Sequence, residues 1–342
     1  MGSRESLGAP ADLDGTRRER LLAALPRGVR ARARIDEPLA PHTTWRIGGP
    51  ADVWVEALSV PELRAVLRAC HEQRVPLRVL GGGSNVLVAD EGARGVVVAL
   101  GGVFERVVEE RAGVRSLRLV AGAGVRVTAF ARRISGDGWS GLEFAVGIPS
   151  TVGGALVMNA GAHGRQMKDV VRWAELVQAD GTRRRVPVEE LRFAYRHTRL
   201  PAGAVVTRVG LELRRDEPGG IRERVRAHLD YRKSTQPLTE PSCGSVFVNP
   251  AGGSAGRLIE EAGLKGRRVG GAAISNKHAN FIVNLGRARR RRDRAGARGA
   301  RRGARAHRHR AHPRGQAVRR FRRRTALVSD ARNGRDRERW HG

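Results

Sequence analysis

Residues 80–90, LGGGSNVLVAD, decide how this chain is read. Gly81, Gly82 and Gly83 follow the apolar run PLRVL and precede a second one, NVLVAD. Glycine loses more backbone freedom on folding than any other residue, so three in a row mark a turn or a close approach to the main chain. Both flanks read as β, which makes a tight turn between two strands one reading. A G-x-G-x-x-G dinucleotide fingerprint is a second, and it fails. Gly81 and Gly83 fit it, but its third position falls on Val86, and strand-like residues follow where a phosphate-capping helix is needed. The third reading is a nest, in which successive glycine N–H groups point into one concavity and bind an anion. The stretch alone favours the turn and leaves the nest open.

A second glycine-rich segment lies at 138–164, GWSGLEFAVGIPSTVGGALVMNAGAHG. It combines Gly147-Ile148-Pro149-Ser150, Gly153-Gly154 and Asn159-Ala160-Gly161. An irregular loop of this length inside a compact domain is uncommon unless it has a function. Two such loops in one domain suit a long ligand with a diphosphate, held by backbone amides from both sides.

The whole chain bounds the reading. Its 342 residues are 40% hydrophobic, enough for two domains with a real core. No apolar run approaches the roughly 18 residues of a membrane span, and the start, MGSRESLGAP, lacks the apolar stretch of a signal peptide. The two cysteines, Cys70 and Cys243, are far apart and without metal-ligand spacing, which fits a reducing cytoplasm and no metal site. The formal charge of +31 suggests nucleic acid at first sight. Its distribution weakens that reading, because residues 287–342 hold 22 arginines and no lysine against four acids. The stretch RARRRRDRAGARGARRGARAHRHRAHPRG has too few apolar residues to build a core and reads as disordered.

Residues 1–35 read as a loose leader with one short helix, GTRRERLLAALP. VPELRAVLRACHEQRVP is a helix with Leu63, Val66, Leu67 and Cys70 on one face. ARGVVVAL, SLRLVAGAG and AVVTRVGLEL are strands, and ELVQAD-GTRRRVPV is a hairpin turning at Asp180-Gly181. VPVEELRFAY begins a short helix, and GGIRERVRAHLDYR is a linker plus helix. SCGSVFVNP, AGRLIEEAGLKG and NFIVNLG form a smaller unit of mixed helix and strand.

Six stretches together are similar to one family. They are TTWRIGGPAD, LGGGSNVLV, GLEFAVGIPSTVGGALVMNAGAHG, LRFAYRHTRL, PSCGSVFVNP and AGRLIEEAGLKGRRVGGAAISNKHANFIVN. In this order, over residues 41–286, they resemble UDP-N-acetylenolpyruvoylglucosamine reductase, a flavoenzyme of peptidoglycan precursor synthesis. The short link YRKSTQPLTEPSCGSVF resembles the subclass without an extra substrate-covering loop. The resemblance implies an α+β fold, with a two-subdomain FAD-binding domain at 36–213 and a substrate-binding domain at 214–286. It implies FAD as cofactor, NADPH as co-substrate and a UDP-sugar as substrate, in a cytoplasmic, monomeric enzyme that needs no metal, membrane or nucleic acid. It places Gly81, Gly82, Gly83, Ser84 and Asn85 on the FAD pyrophosphate. Gly147, Ile148, Pro149, Ser150, Gly153, Gly154, Asn159, Ala160 and Gly161 lie on the other side of the cofactor, and His163 belongs to the same loop.

The resemblance also assigns chemistry. Ser245 is the proton donor to the substrate carbon, and Arg196 faces the negative charge that hydride addition builds. Asn249 contacts the substrate diphosphate, with Tyr231, Arg232 and His278 as further substrate-binding candidates. Cys243 is the rival acid, with the more suitable intrinsic pKa. Alternation along an extended strand would put both its side chain and that of Ser245 on one face.

The chain departs from the family after Asn284. There the family continues with a helix and then a Pro-Glu-Val strand whose glutamate is its third catalytic residue. Here the arginine-rich tail follows. Codons exist for residues 289–304 that, read one nucleotide later, give A-A-D-V-T-A-L-V-R-E-V-R-D-E-V. The same shift over 313–321 permits P-E-V-K-Q-F-G-D-F, with the glutamate at the position of Arg314. The tail is therefore compatible with a frameshift near Arg287–Arg289. The competing function is a flavin-binding protein, inactive as a reductase, whose basic tail binds nucleic acid or anionic surfaces without sequence preference.

Overall fold

The structure, a computed structural model, describes residues 13–286, and all elements below belong to that span. The expected frameshifted tail at 287–342 lies outside the described residues, as do residues 1–12. Helices α1 (Gly15–Ala24) and α2 (Arg27–Arg32) open the chain. Asp14 caps α1 by accepting the Arg17 N–H at 2.8 Å. Leu21, Leu25 and Val29 are buried in the first core. The short helix expected from GTRRERLLAALP is α1, and over residues 13–35 the segment is packed rather than loose, because residues spaced by four form an apolar face that the core covers.

The first sheet contains β1 (Arg34–Pro38), β2 (Pro50–Ala57), β3 (Leu77–Val79) and β4 (Ala93–Leu100), in the order β1-β2-β4-β3. Strands β2, β4 and β3 are parallel, while β1 is antiparallel to β2. Helix α3 (Val60–Glu72) lies between β2 and β3 in sequence and buries Leu63, Val66, Leu67 and Cys70, the expected face.

Parallel neighbours cannot be joined by a hairpin turn. Residues 80–92 therefore cross from the end of β3 back to the start of β4. NVLVAD, expected as a strand, joins no ladder. Its Val86 and Val88 instead pack against a small cluster of Leu39, Ala51, Trp54, Leu80 and Val97. The turn reading of the glycines fails with it.

The second sheet is antiparallel. It contains β5 (Val107–Ala112), β6 (Ser116–Gly122), β7 (Trp139–Ser140), β10 (Val171–Val177), β11 (Arg183–Pro187) and β12 (Val205–Arg215), in the order β11-β10-β12-β6-β5 with β7 beside the end of β12. The β10–β11 hairpin turns at Asp180-Gly181 as expected, with Gly181 at φ +83°. Helices α4 (Val127–Gly136) and α5 (Val152–Val157) contribute to its core, and β8 (Gly161–Ala162) pairs with β9 (Arg165–Gln166) in a separate small hairpin.

Two expectations change here. The helix from VPVEELRFAY is only a 3₁₀ turn, Val188–Leu191, ended by Arg192 in the left-handed region at φ +40°. Helix α6 (Pro218–Thr235) falls, by the expected bounds, in the domain that follows. It buries Ile221 and packs Val225 and Leu229 against the second core, beside α4.

The third sheet holds β13 (Ser242–Ser245), β14 (Arg268–Val269), β15 (Ala272–Ile274) and β16 (Phe281–Asn284), ordered β13-β16-β15-β14 and antiparallel throughout. Helix α7 (Ala255–Glu261) precedes β14. Mixed parallel and antiparallel sheets with separately packed helices make the fold α+β, as the sequence indicates.

Candidate active site

The crossover after β3 carries the glycines. None of the backbone N–H groups from Gly81 to Asn85 donates a hydrogen bond among the described residues. Gly82, Gly83 and Ser84 in its middle are buried or half-buried, and such main-chain donors are nearly always paired, so these three free ones mark a place for an acceptor. The loop lies directly on the second glycine-rich segment. A side chain at Gly81 would come within 2.6 Å of Thr151 Oγ1, and one at Gly82 within 3.0 Å of Pro149 O and 3.3 Å of Ser150 Cα. The Arg126 guanidinium is also beside Gly82. Gly83 is glycine for a backbone reason. Its φ is +61°, and a Cβ would overlap the carbonyl of His42.

The second segment behaves differently. The N–H groups of Ile148, Ser150, Gly153, Asn159 and Ala160 donate to backbone carbonyls, and that of Gly154 donates to the Thr151 hydroxyl, which caps α5. Amide donation from both sides is therefore corrected. The free donors lie mainly on the first loop, and the second supplies a wall, with the Gly147 and Thr151 N–H groups still open. Asn159 turns inward. It is 1% exposed, its Nδ2 donates to Gln166 Oε1 at 2.7 Å and Ala194 O at 2.9 Å, and its Oδ1 accepts from Lys168 N at 3.1 Å. Its side chain has no contact left for a ligand and instead fixes the turn that carries Arg196.

Arg196 sits in that turn, at φ +55°, between Ala194 and His197, which bond to each other. Its Nη2 donates to Gly161 O at 2.8 Å, tying it to the β8–β9 hairpin. His163 at the tip of that hairpin stacks on His228 of α6, ring centroids 3.8 Å apart and 14° from parallel. Tyr231 meets His163 edge-on at 5.5 Å. Burial and the neighbouring His228 and Arg232 hold the His163 pKa below the ordinary imidazole value. Burial does the same for His228, against the opposing pull of Glu143.

Arg232, one residue on, lies over Gly147, where a Cβ would overlap its side chain. Burial pulls its pKa below the usual guanidinium value, and no carboxylate pairs with it among the described residues. An unpaired, partly buried cation facing a ligand loop suits an anionic group.

The remaining candidates sit on the third sheet. Ser242 pairs with Val283 and Ser245 with Phe281, so between these pairs Cys243 and Gly244 oppose Ile282 alone, and Gly244 takes φ +74°. This bulge breaks the alternation expected from an extended strand. Cys243 and Ser245 therefore do not share a face. Cys243 is buried with Trp45 and Ile282, and burial pushes its thiol up to about 11. Ser245 is exposed.

Asn249 spends its Oδ1 on the Ala255 N–H at the start of α7, 3.0 Å, which leaves its Nδ2 free. His278 accepts the Asn280 N–H on Nδ1 at 3.2 Å, packs on Phe281 and faces Gly256, and burial lowers its pKa. Tyr231 and Arg232 thus gather with His163 and Gly147, while Asn249 and His278 both lie at the start of α7, against Ala255 and Gly256. Arg126, Thr151 and Thr44 were not singled out in the sequence. An arginine carries no signal in a chain this rich in arginine, Thr44 acquires its contacts only from residues distant in sequence, and Thr151 reads locally only as a helix cap.

Among the described residues no group of three His, Cys, Asp or Glu side chains could hold a metal ion, and no helix is long and apolar enough to cross a membrane.

Residues 51–187 match the family model of the FAD binding domain, and residues 236–295 match that of the UDP-N-acetylenolpyruvoylglucosamine reductase C-terminal domain. The UDP-N-acetylenolpyruvoylglucosamine reductase of Heliobacterium modesticaldum is 46% identical over 268 residues, covering 78% of this chain and 83% of that protein. The protein of the same name from Anaeromyxobacter sp. Fw109-5 is 51% identical over 267 residues, 77% and 81% of the two chains. The crystal structure of the Thermus caldophilus reductase aligns with a TM-score of 0.65 at 39% identity, over 78% of this chain and 93% of that one.

Proposed function

The chain belongs to the UDP-N-acetylenolpyruvoylglucosamine reductase family, and from that membership we infer that it reduces UDP-N-acetylenolpyruvoylglucosamine to UDP-N-acetylmuramate with NADPH, through FAD. The observation that carries this reading is the row of free N–H groups from Gly81 to Asn85, pressed against Pro149–Thr151 where side chains on the glycines would collide. The residues fit FAD. A diphosphate supplies the acceptors those donors lack, with Arg126 as a nearby cation.

Bound FAD supplies the hydride chemistry between NADPH and the enolpyruvyl double bond. The Ser245 hydroxyl holds the proton for the adjacent carbon. The bulge at Gly244 supports this role by turning Ser245 outward and Cys243 into the core. Arg196 offers a fixed cation to the substrate's carboxylate side, with its guanidinium anchored on Gly161 O so that little reorganisation is needed. Asn249 Nδ2, Arg232, Tyr231 and His278 hold the nucleotide sugar.

The same reading makes the enzyme a cytoplasmic monomer acting in cell-wall synthesis, and the two buried, unpaired cysteines support a reducing compartment. It also treats 287–342 as frameshift-derived. In support, the match to the C-terminal domain model ends at 295, inside the arginine run.

The purified protein is expected to be yellow and to oxidise NADPH only when the enolpyruvyl nucleotide is added. Flavin-bound protein whose NADPH consumption ignores that nucleotide would overturn the substrate assignment.

A further inference from the structure

The segment Thr43–Ile47 lies between two parts of the site that are far apart in sequence. Thr44 is bonded to both. Its backbone N–H donates to Gly83 O at 3.0 Å, on the loop of free amides. Its hydroxyl donates to Ser242 O at 2.7 Å, on the strand that carries Ser245. The same hydroxyl is 3.4 Å from Gly83 O, so its single proton goes to the nearer Ser242 carbonyl. The strap is itself rigid. The Thr43 hydroxyl lies 3.2 Å from Ala40 O and 3.1 Å from Ile47 O, within reach of both carbonyls, and Trp45 is buried against Cys243 and Ile282. The glycine at 83 is required by this strap, since a side chain there would strike His42 and Thr43.

We propose that Thr44 is a positioning residue for the reduction: one side chain and its own amide set the spacing between the cofactor loop and Ser245. The proposal rests on the reading of Ser245 as proton donor. The bulge at Gly244 makes the direction of Ser245 depend on how β13 is seated. Ser242 O, three residues earlier, is where the strap holds that strand. The other ties across this boundary include the Asn284 Nδ2 bond to Trp45 O, 3.0 Å, and the Trp45–Cys243–Ile282 contact. These survive removal of the Thr44 hydroxyl, so the domain stays docked while its register loosens.

The test uses the full-length protein with FAD bound, its reading frame restored after Ala288 so that the catalytic glutamate is present, and follows each half-reaction separately. Thr44→Val keeps the shape and the backbone bond to Gly83, and loses only the hydroxyl. It is expected to retain flavin and to be reduced by NADPH at the parent rate. Its oxidation by UDP-N-acetylenolpyruvoylglucosamine should slow by about 10–10²-fold, the scale of small misplacements of a reacting group. Thr44→Ser should restore most of the rate. Amide hydrogen exchange at 242–246 should rise in Thr44→Val and not in Thr44→Ser, a readout that does not depend on turnover.

A Ser245→Ala protein separates the two claims. If it oxidises normally with the nucleotide, the donor assignment falls, and the positioning role falls with it. If Ser245→Ala is slow while Thr44→Val matches the parent in rate or in exchange, the proposal for Thr44 alone is overturned. Equal slowing of both half-reactions in Thr44→Val, loss of flavin, or no rescue by serine would overturn it as well, because those are the marks of a structural residue.

Discussion

Cys243 and Ser245 stand two positions apart, yet one is a core thiol and the other a solvent-facing hydroxyl. A single left-handed glycine between them separates their faces. In a protein whose gene is restored to the shifted frame, Ser245→Ala is therefore expected to leave reduction by NADPH nearly intact and to slow reduction of the substrate by about 10²–10⁴-fold, the usual range for a general acid. Cys243→Ala should affect stability and leave that step alone. Half-reaction rates of the two variants check this, and the opposite pattern would make Cys243 the acid. Gly82 and Gly83 make a second contrast. Gly82→Val brings a side chain against Pro149 and Ser150 and should abolish flavin retention in a protein that still folds. Gly83→Ala forces a side chain into the left-handed region and onto His42, a strain of about 1–3 kcal/mol, and should lower the melting temperature. Flavin absorbance and circular dichroism on the purified variants separate the two effects.

At the scale of elements, the β8–β9 hairpin is fastened to α6 by the stack of His163 on His228. Both imidazoles have pKa values held below the ordinary one, first by burial. The unfolded chain then binds more protons than the folded one between those lowered values and about 6.5, so stability rises with pH across that window. It is lost as the pH falls below about 6.5. Glu143 differs. Burial opposes its charge, but hydrogen bonds from Gly141, Arg224 and Ser140 hold its pKa below the usual range, so its contribution is lost only at lower pH. Replacing both histidines by phenylalanine keeps a stacked pair and removes the titration. Melting temperatures between pH 7 and 5 should then fall less than in the parent; an unchanged slope would place the proton uptake elsewhere. The first helices make a simpler test. Leu21 is 0% exposed, and Leu21→Ala should cost about 2–5 kcal/mol by denaturant titration, where a loose leader would lose almost nothing.

At the scale of the whole molecule, the chain carries Arg196 and Ser245, and the proposed frameshift puts Arg314, a cation in an arginine-rich run, where the shifted frame encodes the catalytic glutamate. Removing one member of a site that acts as a unit costs nearly as much as removing several. The protein as written is therefore expected to be a poor enzyme even with FAD bound. A gene restored to the shifted frame after Ala288 should encode a protein at least about 10²-fold faster in NADPH-dependent reduction of the nucleotide at equal flavin content. Equal rates would make the arginine-rich tail part of a working enzyme.

Much of this was legible in the chain itself. The helix face of α3, the Asp180-Gly181 hairpin and the α+β class follow from local periodicity and turn chemistry, which need only neighbours in sequence. The motifs, read together, were specific enough to name the family, which the two matching family models and the relatives bear out. What the sequence misplaced depended on partners far along the chain. LGGGSNVLVAD reads as strand-turn-strand because its residues have β propensity. The sheet order makes β3 and β4 parallel, and that forces the same residues into a crossover with unpaired amides. FAVGIPSTVGG reads as a second row of donors, yet most of its N–H groups are taken, by carbonyls of Ala123, Val125 and its own turns and by the Thr151 hydroxyl. Asn159 reads as a ligand contact until its carboxamide is seen spent on Gln166 and Ala194. The bulge that parts Cys243 from Ser245, and the strap through Thr44, exist only because β13 lies against β16 and residues 43–47. Sequence alone determined which residues are available for binding and catalysis. Tertiary structure decided which of their polar groups remain free, because a donor is left for a ligand only when no distant carbonyl has already claimed it.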